Sequence, residues 1–199
     1  MQRILVVDSS PRGAGSFSRK LSHAIVEKLK AKNPNATVAV RDLTVRPMPH
    51  LEEVHLAAFF APPETHPGND REAIRHSDEA IAELTSADTI VIGVPMYNFS
   101  IASVLKAWID HLVRVNRTFR YTATGAEGLV TGKKVFLAMA TGGVYSEGAM
   151  KSYDFAEPYL RTILGFIGIT DVTTFRVEGI AVPGVQDTAL EKANQSIRL

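Results

Sequence analysis

Short β-branched runs alternate with segments of helical period along the whole chain, and that alternation confines it to folds built on a parallel sheet. Ile4-Leu5-Val6-Val7 reads as a strand buried on both faces, and Phe17 to Ala31 follows with Leu21, Ile25 and Leu29 at helical spacing. Asn33-Pro34-Asn35 stops that helix. Thr37 to Val40 reads as a second strand, Ala73 to Leu84 as a helix, and Asp88 to Val94 as a third strand. Ser100 is placed to cap a helix whose Ile101, Val104, Leu105, Trp108, Ile109 and Leu112 form one apolar stripe. Val135 to Met139 is a fourth strand, Ala149 to Leu164 a helix, Val172 to Val177 a fifth strand, and Asp187 to Ile197 a closing helix. These elements predict a doubly wound α/β sheet of five parallel strands, order 2-1-3-4-5, with helices on both faces and right-handed crossovers. At 199 residues and 45% apolar content, a single domain over residues 1–199 is expected.

The composition excludes several chemistries. Lys and Arg (22) balance Asp and Glu (21), and a net charge of +1 gives no electrostatic case for nucleic acid or an anionic membrane as partner. The absence of cysteine removes disulfides, iron–sulfur clusters and thiol catalysis, and leaves any redox chemistry to a bound cofactor. Met1-Gln2-Arg3-Ile4 runs directly into a strand without a signal-peptide pattern, and no apolar run reaches membrane-spanning length, so the expected location is cytoplasmic. His23, His50, His55, His66, His76 and His111 form no H-E-x-x-H or similar pattern; no metal site is expected, and each is read as solvated or structural.

Three loops carry the chemistry. Ser9-Ser10-Pro11-Arg12-Gly13-Ala14-Gly15-Ser16-Phe17-Ser18 joins the first strand to the first helix, and its hydroxyls, flexible backbone and helix amino terminus suit a phosphate. It matches neither the P-loop nor the G-x-G-x-x-G dinucleotide pattern, which leaves a monophosphate; plain capping by Ser16 or Ser18 is the alternative. Pro95-Met96-Tyr97-Asn98-Phe99 ends the apolar run Thr89 to Val94, and its mixture of Met, Tyr, Asn and Phe suits a flat heteroaromatic ring such as a flavin. The alternative there is core packing with Asn98 as a turn former. Ala140-Thr141-Gly142-Gly143-Val144-Tyr145 follows the fourth strand, where glycines admit a ligand to the backbone and Tyr145 is placed to stack on it; an ordinary turn is the alternative. All three loops leave the carboxyl ends of neighbouring strands, so one FMN would touch all three. Two further stretches, Thr44 to Asp70 with five of the chain's ten prolines and Arg114 to Gly132, read as long irregular loops, the first of them covering a site.

The motifs Pro95-Met96-Tyr97-Asn98-Phe99, Thr118-Phe119-Arg120-Tyr121-Thr122, Glu127-Gly128-Leu129-Val130-Thr131-Gly132-Lys133-Lys134 and Leu164-Gly165-Phe166-Ile167-Gly168-Ile169 give the chain a resemblance to the FMN-dependent NADH:quinone oxidoreductases and azoreductases of the flavodoxin-like superfamily. The resemblance runs from the first strand to near the carboxyl end. It implies a flavodoxin-like fold and a homodimer with one FMN per subunit and the active site at the subunit interface. It also implies that Ser10, Ser16, Phe17 and Ser18 hold the phosphate side, Met96, Tyr97, Asn98 and Phe99 meet the isoalloxazine, and Ala140, Thr141, Gly142 and Gly143 complete the site. Many members carry arginine where this chain has Thr141, so Thr141 is expected to modulate acceptor choice. The resemblance further implies that two electrons pass from NADH or NADPH through FMN to quinones or azo compounds by a ping-pong mechanism, and no side-chain acid or base is expected. Phe60, Tyr121, Tyr145 and Phe166 are candidate walls of the acceptor pocket, some of them contributed by the partner subunit, with plain interface packing as the alternative. The Trp108 stripe holds more apolar surface than a sheet requires, so part of that helix is expected between subunits. A flavodoxin-type electron carrier is disfavoured by the balanced charge, and a hydrolase by the lack of a G-x-S-x-G elbow.

Overall fold

A computed structural model describes residues 1–61 and 68–199, with side chains omitted at 68–71. Strands β1 (Arg3–Asp8), β2 (Thr37–Asp42), β3 (Thr89–Pro95), β6 (Lys134–Ala140) and β7 (Asp171–Val177) form one sheet in the order β2-β1-β3-β6-β7, every pairing parallel. This is the expected 2-1-3-4-5 order of a flavodoxin-like sheet. Helices α1 (Phe17–Lys32) and α6 (Gln186–Ser196) cover one face, while α3 (Gly68–Ser86), α4 (Ser103–Leu112) and α5 (Ala156–Phe166) cover the other. Alternation along each strand divides the core accordingly. Ile4, Val6, Val91, Phe136 and Ala138 pack toward α1 and α6, and Leu5, Val7, Ile90, Ile92, Val135 and Leu137 pack toward α3, α4 and α5. Burial on both faces is why these strands are continuous apolar runs in sequence.

Four sequence expectations need correction. The stretch Arg114 to Gly132 is not irregular: β4 (Phe119–Thr122) and β5 (Gly125–Gly128) form an antiparallel hairpin. The stretch Thr44 to Asp70 contains α2 (Glu53–Phe60), and α3 begins at Gly68; Pro62, Pro63 and Pro67 lie outside the described residues. Helix Ala149 to Leu164 divides into a 3₁₀ turn (Ala149–Tyr153) and α5, because Asp154 Oδ1 accepts the Ala156 and Glu157 N–H groups at 3.0 Å each and starts a new helix there. Ser100 does not cap α4, which starts after Ala102; Ser100 instead closes a tight turn with Tyr97.

Trp108 is fully buried within its own chain, packed with Ile92, Leu112, Leu160 and Leu164, so it contributes core rather than interface. His55 and His111 are likewise buried: His111 Nε2 lies 3.0 Å from the Pro49 carbonyl, and His55 Nδ1 accepts the Glu52 N–H at 3.0 Å, which ties α2 onto α4. Among the described residues, no group of three or more His, Asp or Glu side chains has a metal-holding arrangement, and no helix is long and apolar enough to cross a membrane.

Candidate active site

The sheet brings the three loops together at the carboxyl ends of β1, β3 and β6, where a cavity of about 290 Å³ is lined by residues from all of them. Ser10, Arg12, Ser16, Phe17 and Ser18 form one end; Pro95, Met96 and Tyr97 form a wall; Ala140 and Gly142 form the other side. Ile180 and Ala181, in the loop after β7, also line it. Tyr97 is shared with a larger adjoining cavity of about 940 Å³, lined by Ser9, Asn98, Ile101, Val104, Lys106 and Tyr159 among others. The Tyr159 phenol there is pushed up to about 12 by burial, with Asp110 adding to the shift, and so remains a neutral hydrogen-bond donor.

At the phosphate-like end, Ser16 is the N-cap of α1: its hydroxyl accepts the Arg19 N–H at 3.2 Å and lies 3.1 Å from the Ser18 hydroxyl. The capping reading therefore holds for Ser16, and it coexists with a place in the cavity wall. The first-turn N–H groups of a helix have no intrahelical acceptor, and the dipole's positive end lies beside them, which favours an anion here. Arg19 is committed elsewhere. It donates to the Ser10 carbonyl at 3.2 and 2.9 Å, to Asp8 at 3.2 Å and to Asp42 at 2.9 Å, so it fixes the course of the Ser9-Ser10 loop. Its hydrogen bond to Asp42 holds that carboxyl at about 2, whereas burial raises the Asp8 carboxyl despite the same guanidinium. Among the described residues, Arg12 is the one basic side chain in the lining of this cavity. Gly93 leaves room for this assembly, since a Cβ at that position would sit 2.8 Å from Asp8 Oδ1.

The middle loop is strained. Tyr97 and Ser100 exchange backbone hydrogen bonds at 2.9 and 3.0 Å around Asn98 (φ 49°) and Phe99 (φ 68°), two consecutive left-handed residues neither of which is glycine. Turns of that form ordinarily take Asn-Gly, and a bulky residue in the left-handed region costs about 1–2 kcal/mol. The surrounding contacts hold it: the Phe155 N–H donates to the Phe99 carbonyl at 3.1 Å, and the Phe99 ring meets those of Tyr153 and Tyr145 at 5.6 and 6.4 Å. Strain maintained at a cavity mouth is a mark of a working site.

Ser10, Ser16, Phe17, Ser18, Met96, Tyr97, Ala140 and Gly142 thus line the smaller cavity, with Asn98 lining the larger one and Phe99 next to it in the chain but lining neither. Thr141 is turned away: its side chain is fully buried, its hydroxyl donates to the Gly143 carbonyl at 2.8 Å, and neither Thr141 nor Gly143 lines either cavity. The expected acceptor-pocket residues are dispersed. Tyr145 stands beside Phe99, while Phe166 packs under the hairpin against Phe119 at 4.7 Å, and Tyr121 and Phe60 are exposed on the hairpin and at the end of α2. Sequence reasoning missed Arg12 as a wall residue, although it lies within the loop between β1 and α1. It also missed Ile180 and Ala181, for which Gly179 just after the fifth strand was the available signal.

A family model described as the flavodoxin-like fold matches residues 2–199. A protein from Herminiimonas arsenicoxydans, an FMN-dependent NADH:quinone oxidoreductase, is 48% identical over 199 residues, covering 99% of this chain and 97% of that protein. A protein of the same name from Mesorhizobium japonicum is 44% identical over 195 residues, covering 98% and 93%. The crystal structure of an azoreductase from Bacillus anthracis superposes with a TM-score of 0.88 at 31% identity, covering 98% of each chain. That of an FMN-dependent NADH-azoreductase from the same species, in complex with FMN, gives 0.86 at 26% identity, covering 98% and 97%. With its strand order, its three converging loops and these relatives in agreement, the chain belongs to the flavodoxin-like family that holds the FMN-dependent NADH:quinone oxidoreductases and azoreductases.

Proposed function

We propose that residues 1–199 form one FMN-binding domain of a cytoplasmic oxidoreductase that carries two electrons from NADH or NADPH to quinones and azo compounds. The observation that carries this reading is the single cleft into which the α1 amino terminus, the Pro95–Tyr97 wall and the Ala140–Gly142 loop all open. The residues fit the cofactor: hydroxyls and helix N–H groups would hold its phosphate, and Met96 and Tyr97 would offer apolar surface to its ring. FMN, when bound, would supply the redox chemistry between nicotinamide and acceptor. The protein's share is position and electrostatics. Arg19 anchors the Ser10 loop, the strained Asn98-Phe99 turn fixes the rim, and Thr141 braces its loop from beneath.

Donor and acceptor would share one face of the flavin and therefore bind in alternation. Varying NADH at several fixed concentrations of a quinone should give parallel double-reciprocal lines; intersecting lines would reject the shared site.

The working form is proposed to be a homodimer. Tyr97, Phe99, Met150, Tyr153 and Phe155 are exposed apolar or aromatic side chains, Phe99 packing on Tyr153, and Tyr97, Ile101 and Val104 line the larger cavity. Exposed apolar surface of this kind favours a covering partner. Sedimentation at assay concentration is expected to show a dimer, and a monomer with full activity would contradict it.

A further inference from the structure

We propose that Arg176 is a positioning residue for the electron acceptor, because it joins the two segments that hold the aromatic wall beside the cleft into one body. Arg176 lies on β7, with its side chain 14% exposed, and faces three carboxylates. Its Nη2 donates to Asp154 Oδ2 at 2.6 Å and to Glu157 Oε2, and its Nη1 donates to Glu178 Oε1 at 3.4 Å.

Each outer carboxylate holds a different piece of backbone. Glu178 Oε1 accepts the Tyr145 and Ser146 N–H groups at 2.8 and 2.9 Å, and its Oε2 accepts the Ser146 hydroxyl at 2.5 Å. Asp154 Oδ1 accepts the first two N–H groups of α5 and so sets where Phe155 lies. The Phe155 N–H in turn holds the Phe99 carbonyl, and Phe99 touches Tyr145 on one side and Tyr153 on the other. The cluster of Phe99, Tyr145 and Tyr153, next in the chain to the cavity-lining Asn98, therefore hangs from two segments, residues 145–146 and 153–155, and the guanidinium joins the carboxylates that hold both. A planar fork suits this task, since it reaches carboxylates in separate directions, whereas an ammonium acts as a point charge. Arg161 also donates to Glu157, at 2.7 Å, but it makes no such bond to Asp154 or Glu178, so it does not duplicate the link.

This inference rests on the flavin-enzyme reading for its effect on catalysis, while the mechanical link is testable in the protein alone. In Arg176→Gln, hydrogen exchange at the Tyr145, Ser146 and Phe155 amides should accelerate together by about tenfold or more, with core-strand amides unchanged. In the FMN-loaded enzyme the same substitution should raise the KM for a small naphthoquinone roughly tenfold. The Kd of the apoprotein for FMN should move less than about twofold, because no residue of the phosphate cradle is touched. Arg176→Lys should restore only part of the KM. Glu178→Gln, which keeps an acceptor for the Tyr145 N–H but loses the ion pair, gives an independent route to the same loosening should the arginine variant fold poorly. Unchanged exchange at the three amides in both Arg176→Gln and Glu178→Gln would overturn the link. Faster exchange with an unchanged quinone KM would overturn the positioning role, and loss of FMN affinity in parallel with KM would reduce Arg176 to a general stabiliser. Failure of the wild-type apoprotein to bind FMN would defeat the flavin reading, and the exchange result would still decide the link.

Discussion

Ser18→Asp is expected to abolish tight FMN binding and to cost the apoprotein some stability. Ser18 is the second helical residue of α1, just past the Ser16 cap, is 1% exposed, and lines the cleft at its phosphate-like end. A carboxylate in a helix's first turn is favoured by the macrodipole by about 0.3–1 kcal/mol, which offsets only part of the cost of burying its charge. The phosphate would then face a fixed negative charge at close range. At an effective dielectric near 20, two unit charges about 4 Å apart repel by roughly 4 kcal/mol, and allowing for solvent leaves about 3 kcal/mol, or a hundredfold or more in Kd. Thermal melts of the apoprotein and fluorescence titration with FMN separate the two effects. An unchanged Kd would place the phosphate elsewhere, and an equal loss of affinity in Ser18→Asn, which adds no charge, would make the loop only a helix cap.

Gly128→Ala should destabilise the protein by about 3 kcal/mol, lowering Tm by roughly 6–12 °C. Gly128 ends β5, and a Cβ on it would lie 2.1 Å from the Gly168 backbone nitrogen and 2.3 Å from the Ile167 carbonyl carbon. Backbone cannot yield as a side chain can, so the hairpin must lift from the turn that follows α5. With it would go the Val130 N–H bond to the Ile167 carbonyl at 2.8 Å and the packing of Phe119 on Phe166. Gly165→Ala provides the contrast. It lies within α5, a Cβ on it would meet nothing within 4 Å, and the change should stabilise by about 0.5–1 kcal/mol. Differential scanning calorimetry on the two variants reads both signs. Equal Tm values would mean that the hairpin is not docked through the Gly128–Gly168 contact.

That contact also explains part of what was legible in the sequence. The stretches Glu127 to Lys134 and Leu164 to Ile169 carried the family resemblance as separate motifs, and they meet in space through Gly128 and Gly168, whose φ of 105° demands glycine. The five strands were readable because burial on both faces makes each an apolar run. The hairpin was not, because β5 is Gly-Ala-Glu-Gly, exposed over most of its length and without strand propensity. Helix α2 was hidden by prolines on both sides and by apolar residues spread around its circumference, which leave no clear stripe. That Ser10, Ser16 and Ser18 stand together at the start of α1 was legible from hydroxyl and glycine content, since helix geometry dictates what stands at an α-helix start. The direction of the Thr141 side chain depends on its bond to the Gly143 carbonyl, and the Trp108 environment on α5 packing across it, and neither is encoded in local spacing. Tyr121 and Phe166 meet on the Phe119 ring while Phe60 stands exposed at the end of α2, a separation that only the tertiary arrangement reveals.

Titration of the apoprotein with FMN, followed by flavin absorbance and fluorescence quenching, bears most directly on the convergence of three strand-end loops on a single flavin site. Saturation at one FMN per chain with a Kd below about 1 μM is expected, and the same sample should bleach on anaerobic addition of NADH and recover its colour with a quinone. An apoprotein that takes up no FMN at micromolar concentration would contradict it.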